Sequence, residues 1–137
     1  MKLTVAPVQV QYAAQSWPKV EAHLVAAAQY CSDDYTIDQI HLMVCTGQWM
    51  LLVAVDEQNE VHGAATVNFI NYPNDRVAFV TLIGGKLVSN ADTFEQLKAI
   101  LKQVGATKIQ GAARESIARL WHKFGFEERY IVVETKL

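Results

Sequence analysis

The stretch LIGGKLVSNADTFEQLKAIL, which begins at residue 82, places two glycines and a lysine between a strand-like run and a helix-like run. Backbone N–H groups and the helix dipole converge at such a junction, so Gly84, Gly85 and Lys86 are candidates for binding a phosphate. The alternative is that the glycines only bend the chain at the strand end. Asp92 and Glu95 favour this alternative, because they predict a capping box whose carboxylates would repel a second anion.

Three further side chains could take part in chemistry. Arg114 follows the apolar run Gly-Ala-Ala and precedes a predicted helix. Its guanidinium is therefore expected near the strand ends, where it can contact an anion or form a structural ion pair. His62 and Tyr130, on predicted strands, are weak candidates for proton transfer. Both are also explained as partly buried side chains with satisfied partners.

Charge and cysteine spacing exclude several classes of protein. Cys31 and Cys45 lack metal-ligand spacing and the four histidines are scattered, so we expect no metal site and two small buried thiols. Residues 1–85 carry three basic residues against eight acidic ones, whereas residues 86–137 carry nine against six. The C-terminal part can therefore face an anion. The net charge of −2 and the lack of a basic run interleaved with aromatics argue against nucleic acid.

The pattern of apolar residues predicts one α/β (α+β) domain, residues 1–137. No apolar run reaches the length of a membrane span and no signal-peptide core follows Met1, which predicts a cytoplasmic protein. The element order is β-α-α-β-β-β-α-β-α-β, a mixed sheet with helices on both faces. The predicted elements are strand 3–10, a helix from about Ser16 with Pro18 in its first turn, a helix capped by Thr36 and Gln39, strands 48–56, 61–70 and 76–85, a helix from Asp92, strand 107–114, helix 115–124 and strand 127–137.

This order, together with ARLWHKFGFEERY near the C-terminus, resembles the GNAT-type (acetyl-CoA-dependent) N-acetyltransferase superfamily over nearly the whole chain. The short loops also resemble GNAT-like proteins encoded by bacteriophages. The resemblance implies that acetyl-CoA lies between the fourth strand, residues 77–83, and the next strand, residues 108–113. It implies the following cofactor-binding residues: Leu82 and Ile83 through their main chain, Gly84, Gly85 and Lys86 in the pyrophosphate loop, and Arg114 and Ser116 at the mouth of the cleft.

The sequence departs from the family pattern at two points. The family loop reads Q/R-x-x-G-x-G/A, whereas here it reads GGKLVSN, with the glycines too early and bulky residues after them. The tyrosine that often acts as the acid, four positions before Gly-Phe, is replaced by Trp121, whose indole N–H is no acid near neutral pH. Trp121 also fits the apolar stripe of its helix, which predicts core packing. The catalytic residues are therefore left open.

Two functions remain from the sequence. The first is transfer of an acetyl group from acetyl-CoA to an amine acceptor. The alternative is a catalytically degenerate GNAT-fold protein that acts as a binding or structural component, and its location would be the virion if a phage encodes it. The expected partners are an amine substrate, another protein, or a second copy joined through the edge of the predicted last strand, YIVVETKL.

Overall fold

A computed structural model describes residues 1–29, 34–87 and 90–137. Within these ranges, five strands form one sheet in the order of the chain, and each pair of neighbours is antiparallel except β4 and β5, which are parallel. The elements are β1 (Thr4–Val8), α1 (Val10–Ala28), α2 (Ile37–Cys45), β2 (Met50–Val55), β3 (Val61–Asn71), β4 (Arg76–Gly85), α3 (Ala91–Gln103), β5 (Lys108–Gly111), α4 (Glu115–Trp121) and a 3₁₀ turn (His122–Phe124). The predicted mixed sheet and the element order as far as α4 are confirmed.

The sheet has a separate hydrophobic core on each face. Residues of α1 and α2 cover one face, where Trp17, Val20 and Leu24 are buried. Residues of α3 cover the other face, where Leu97 and Leu101 are buried. Helices on both faces are therefore confirmed, and β4 is covered on each side, as its continuous apolar run predicts.

Helix α1 is longer than the sequence predicts. It begins at Val10 rather than near Ser16, so Pro18 lies inside the helix and not in its first turn. Pro18 is exposed, and a proline inside a helix lacks the N–H for one intrahelical hydrogen bond. The apolar stripe of the helix is predicted correctly, because Trp17 and Leu24 lie in the core.

Helix α2 has the predicted capping box. The backbone N–H of Gln39 donates to Thr36 Oγ1 at 3.2 Å, and the backbone N–H of Thr36 donates to Gln39 Oε1 at 2.9 Å. Cys45 ends this helix, half-buried against the core, while Cys31 lies outside the described residues. Among the described residues, no helix has the length and apolarity required to cross a membrane.

The start of α3 differs from the predicted capping box. Asn90 is the N-cap, and its Oδ1 accepts a hydrogen bond from the backbone N–H of Asp92 at 2.8 Å. Glu95 forms an ion pair with Lys98 at 3.0 Å. The box predicted for Asp92 and Glu95 is therefore wrong, because Asn90 supplies the side-chain acceptor two residues earlier. Leu87, which the sequence places in a polar loop, is fully buried in the core under α3.

One outer edge of the sheet is covered by a side chain. On β1, the backbone N–H of Val5 donates to Gln96 Oε1 at 2.8 Å, and Gln96 Nε2 donates to the carbonyl of Leu3 at 3.0 Å. The glutamine of α3 thus makes the donor and acceptor contacts that a neighbouring strand would make. Pro7 lacks an N–H, so β1 is also a poor template for a further strand.

The chain after α4 differs from the prediction. Gly125 has φ 91° and ends the 3₁₀ turn, which confirms its predicted role at the helix end. Residues 127–137, predicted as the last strand, have no helix or strand assignment. A strand needs a partner edge as well as a suitable sequence, and in a single copy this segment has not paired with one.

Candidate functional site

Strands β4 and β5 separate halfway along β4. β5 pairs with β4 only from Val77 to Val80, whereas β3 pairs with β4 as far as Gly85. The outer edge of β4 beyond Val80 therefore has no strand partner. This is the splay that the family resemblance implies between the fourth strand and the next one.

A bulge at Thr81 marks the point where the two strands separate. Thr66 faces Leu82 while Val67 faces Val80, so Thr81 is an extra residue on β4. Its Oγ1 donates to the carbonyl of Thr66 at 3.0 Å and lies 2.7 Å from Thr66 Oγ1. A bulge bends its strand and increases the local twist, and these two hydroxyl contacts hold the bend in place.

The separation opens a cleft of about 430 Å³ between α1, β4 and α4. Its walls are mostly apolar, and the polar groups of the β4 edge face the gap that β5 leaves. Ile117, Leu120 and Trp121, which the sequence places in the core, form the α4 wall instead, and within the described chain α4 buries no residue fully. The lining residues are Ala22, His23, Ala26, Ala27, Val80, Thr81, Leu82, Ile83, Gly84, Gly85, Ala112, Ala113, Ile117, Leu120 and Trp121.

Close packing accounts for both glycines at the end of β4. A Cβ at Gly84 would lie 2.6 Å from the backbone carbonyl oxygen of His23, so α1 crosses β4 in near contact. Gly85 has φ 68°, which disfavours any residue with a side chain, and a Cβ there would collide with the His62 carbonyl. The backbone N–H of Lys86 donates to that same carbonyl at 2.9 Å. The glycine pair therefore allows the chain to turn from β4 into the following loop.

The predicted cofactor-binding residues lie partly in the lining of the cleft and partly outside it. Leu82, Ile83, Gly84 and Gly85 line it directly, whereas the exposed Lys86 follows them at the loop. Loop residues 88 and 89, which the predicted pyrophosphate site includes, lie outside the described residues.

Arg114 links α4 to α1 beside the mouth of the cleft. It is the N-cap residue of α4, and its Nη2 donates to the carbonyl of Gln29 at 3.3 Å. Ala112 and Ala113, directly before it, line the cleft, while Arg114 and Ser116 are exposed outside that lining. This contact uses one N–H group of the guanidinium, while the residue as a whole is exposed.

The two weak candidates for proton transfer lie outside the lining of the cleft. His62, on β3, has its Nε2 2.7 Å from Oδ2 of Asp56, which lies in the turn between β2 and β3. The hydrogen bond with His62, followed by the backbone N–H of Glu60, holds the pKa of Asp56 below its ordinary value. Tyr130 is 66% exposed in the segment beyond β5.

Sequence reasoning missed His23, the titratable side chain that the structure places in the cleft. Its Nε2 lies 3.3 Å from the carbonyl oxygen of Val61, and its Nδ1 lies 3.1 Å from where a Cβ of Gly85 would be. If Nε2 carries the proton, Nδ1 keeps an acceptor lone pair on the side of the cleft. The signal available in the sequence was the set of small residues, Ala22 and Ala26, beside His23 on α1.

Trp121 occupies the position where the family tyrosine would stand. Its ring packs directly on the backbone of Gly111, where a Cβ would come within 2.8 Å of Cζ3, and its centroid lies 5.1 Å from that of Phe126. It is half-buried and forms part of the cleft wall, so its position is defined by packing.

A second hollow of about 280 Å³ meets the cleft at the bulge. It shares Val80, Thr81, Leu82 and Ala112 with the cleft and is otherwise lined by residues of mixed character. These are Ala28, Asp34, Tyr35, Ile40, Asn68, Ile70 and Phe79. The four shared residues mark where the two hollows adjoin.

The sequence matches no protein-family model and no curated protein. Solved structures nevertheless resemble the chain over nearly its whole length. A predicted acetyltransferase of Clostridium acetobutylicum, crystallised with acetyl-CoA, is 14% identical with a TM-score of 0.66, and the match covers 98% of this chain and 96% of that one.

Two aminoglycoside acetyltransferases have similar scores. The aminoglycoside 6'-N-acetyltransferase of Acinetobacter baumannii is 16% identical with a TM-score of 0.64, covering 99% of this chain and 98% of that one. An aminoglycoside acetyltransferase from an uncultured soil metagenomic sample, in complex with sisomicin, is 10% identical with a TM-score of 0.68. This match covers 98% of this chain and 96% of that one. At these identities the likeness establishes the fold, so the chain has a divergent GNAT-type fold.

Proposed function

We propose that the chain is an acyltransferase that moves an acetyl group from acetyl-CoA to an amine acceptor. The observation that carries the proposal is the unpaired edge of β4 from Thr81 to Gly85, which borders a cleft of about 430 Å³. Pantetheine is an extended chain with amide groups along it, so it can pair with such an edge as an added strand would. The acetyl-CoA complex of the C. acetobutylicum protein supports this assignment by fold likeness.

The residues of the cleft fit the parts of acetyl-CoA. Apolar side chains of α1 and α4 would cover the methylene groups of the arm, while the main chain of Leu82 and Ile83 would bond its amides. Lys86 and Arg114, which are exposed at the loop and at the start of α4, would receive the phosphate groups. Asn90 already caps α3, so we assign the phosphates to these side chains and to Ser116 rather than to the helix start.

The chemistry supplied by acetyl-CoA is a thioester, whose carbonyl carbon an amine attacks and whose thiolate leaves. Beside the bulge, a backbone N–H group on the outer edge of β4, separate from those that bond the pantetheine amides, would stabilise negative charge that develops on the carbonyl oxygen. The two compartments would bring amine and thioester together and hold them in place.

We assign the amine to the hollow beside the bulge. Asp34 is its acidic residue, and Tyr35 and Asn68 add polar groups to walls formed by Ile70 and Phe79. A carboxylate at this position would attract an ammonium group, and the apolar walls would cover the carbon skeleton of the acceptor.

Proton removal would depend mainly on the acceptor. The residues shared by the two compartments, Val80, Thr81, Leu82 and Ala112, carry no group that titrates near neutral pH. The amine would therefore react in its neutral form, its proton would pass to the departing thiolate or to water as the C–S bond breaks, and the rate would rise with pH through the pKa of the acceptor. His62 and Tyr130 are assigned no role in this scheme, because neither lines either compartment.

Two exposed alanines of α1 provide a matched test. Ala26 lines the cleft, whereas Ala14 lies on the same helix outside it. Ala26→Trp should fill the cleft and abolish the heat of acetyl-CoA binding in calorimetry and the ligand-dependent rise in Tm, while Ala14→Trp should leave both unchanged. If the parent protein shows no binding at millimolar acetyl-CoA, or if Ala26→Trp binds normally, the proposal is wrong.

A second candidate is a protein that binds without catalysis. The observations that favour it are Trp121 at the tyrosine position and the loop in which packing explains both Gly84 and Gly85. This candidate predicts a stable complex with a partner that does not depend on acetyl-CoA. Saturable acetyl transfer to any amine, measured by release of free thiol, would exclude it.

A further inference from the structure

The lining of the cleft beside β4 contains one side-chain acceptor without a partner among the described residues. Three residues of the lining carry a polar side-chain atom, namely His23, Thr81 and Trp121. The hydroxyl of Thr81 is engaged with Thr66, and the indole of Trp121 can only donate. His23 uses one of its two ring nitrogens in the fold, so the second is available to a molecule in the cleft.

The ring of His23 is oriented by β3. Its Nε2 lies 3.3 Å from the carbonyl oxygen of Val61, next to the place where the register between β2 and β3 shifts. Because a carbonyl only accepts, Nε2 carries the proton and Nδ1 of the neutral ring is an acceptor. Nδ1 is open to the cleft, since within the described residues no side-chain nitrogen or oxygen is both fully buried and unpaired.

The position of His23 along β4 places it far from the reacting end of the proposed cofactor. Its Nδ1 lies 3.1 Å from the position that a Cβ of Gly85 would occupy. Gly85 follows the bulge at Thr81 by four residues, which is about 13 Å at the rise of a strand. A proton donor or acceptor must come within hydrogen-bond distance of the reacting group, so His23 has no part in proton transfer at the bulge.

The length of the pantetheine arm matches this separation. With the thioester beside Thr81, the two amides of the arm would lie along Leu82 and Ile83. The next polar group after the second amide is a hydroxyl, and its carbon is about as far from the sulfur as three residues of extended chain, or roughly 10 Å. This hydroxyl can donate a hydrogen bond, and it would arrive beside Gly85, opposite Nδ1 of His23.

We propose that His23 is a further cofactor-binding residue, whose Nδ1 accepts a hydrogen bond from the hydroxyl of the pantetheine arm. The assignment rests on the proposed acetyl-CoA site and adds to it a side chain that binds the arm rather than the phosphates. Neutral Nδ1 has no proton to donate to a phosphate oxygen, whereas the side chains of Lys86 and Arg114 are cations. The small residues Ala22 and Ala26 beside His23 leave room for the arm against the ring.

Substitutions of His23 test the contact through affinity. His23→Leu removes both ring nitrogens and should weaken acetyl-CoA binding in calorimetry about fivefold, the effect of one neutral hydrogen bond. His23→Gln retains an amide N–H for the carbonyl of Val61 and an amide oxygen for the arm, so it should recover most of the affinity. His122→Leu is the matched control, because His122 is exposed outside the lining of the cleft, and it should bind as the parent does. The Tm of each variant without ligand shows whether the fold is retained.

Nitrogen-15 spectra of the histidine rings test the same contact directly. At about pH 8, where an ordinary histidine is neutral, His23 should carry its proton on Nε2. Saturation with acetyl-CoA should shift the Nδ1 resonance of His23 and leave the ring resonances of His122 in place.

The two proposals fail in different ways. A parent protein that binds no acetyl-CoA would remove the proposed function and this contact together. A parent that binds would overturn the assignment of His23 alone if His23→Leu has the same affinity, if His23→Gln is no better than His23→Leu, or if the Nδ1 resonance does not move. A ring that gains a second proton on binding would also overturn it, because that ring would be contacting a phosphate.

Discussion

α1 and β4 approach each other closely at Gly84, and Gly84→Ala tests whether this contact sets the shape of the cleft. The added Cβ would lie 2.6 Å from the carbonyl oxygen of His23 and 3.1 Å from the Cβ of Ala27. Gly84 is not among the residues with positive φ, so alanine fits the local backbone. The cost of the substitution is therefore steric.

The expected size of the effect follows from the distance. Restoring an ordinary contact of 3.4 Å requires α1 to move by about 0.8 Å, because the obstructing atom belongs to the backbone. Overpacking of this kind costs about 1–3 kcal/mol. With an unfolding entropy of about 2.1 cal/mol/K per residue, the Tm of a 137-residue domain should fall by roughly 3–10 °C.

Thermal denaturation followed by circular dichroism measures the change, with two comparisons. Gly84→Ala combined with Ala27→Gly removes the side-chain contact but keeps the backbone collision, so Tm should stay low. Gly125→Ala adds a Cβ with no atom within 4 Å, at φ 91°, and its Tm reports only backbone strain. A Gly84→Ala variant with the Tm of the parent would refute the reasoning, as would full recovery in the double variant.

Three further predictions concern charged side chains. Arg114→Ala should weaken acetyl-CoA binding about tenfold in calorimetry, since a charge-assisted hydrogen bond contributes about 1.5–3 kcal/mol, whereas Arg114→Lys should retain part of the affinity; equal affinities would remove Arg114 from the site. The pKa of Asp56 is held below 3.8 by its hydrogen bond with His62, so Asp56 stabilises the fold above that pH and loses this contribution as pH falls below it. Asp56→Asn should therefore lower Tm near neutral pH, with a deficit that shrinks below pH 3.8 in a pH series; a deficit independent of pH would contradict this. Asp34→Asn should raise KM for a cationic amine several-fold with little change in kcat, and an unchanged KM would place the acceptor elsewhere.

Features that depend on neighbouring residues were predictable from the sequence. The capping box of Thr36 and Gln39 and the glycine end of the last turn at Gly125 involve residues within four positions of each other, and both are confirmed. The bounds of β4, from Arg76 to Gly85, were also predicted, because its apolar run ends at the glycines. Capping rules were less exact where two nearby residues can both cap a helix. At the start of α3 the N-cap is Asn90, whereas the helix was predicted to start at Asp92.

Features that depend on distant parts of the chain were not predictable. The reason for glycine at position 84 is the carbonyl of His23, sixty-one positions away in the sequence, and a motif cannot show it. The bulge at Thr81 likewise depends on register with Thr66 on β3. Residues 127–137 have a strand sequence, yet a strand also depends on pairing with an edge, and this segment has no strand assignment in the single copy.

The glutamine contact on β1 has a consequence for how many copies can assemble. A sheet with two open edges can add neighbours on both sides without limit, which leads to filaments. Because Gln96 occupies the β1 edge through two hydrogen bonds, a strand added there would first have to displace this side chain. A single side chain therefore protects this edge of the sheet from open-ended strand addition.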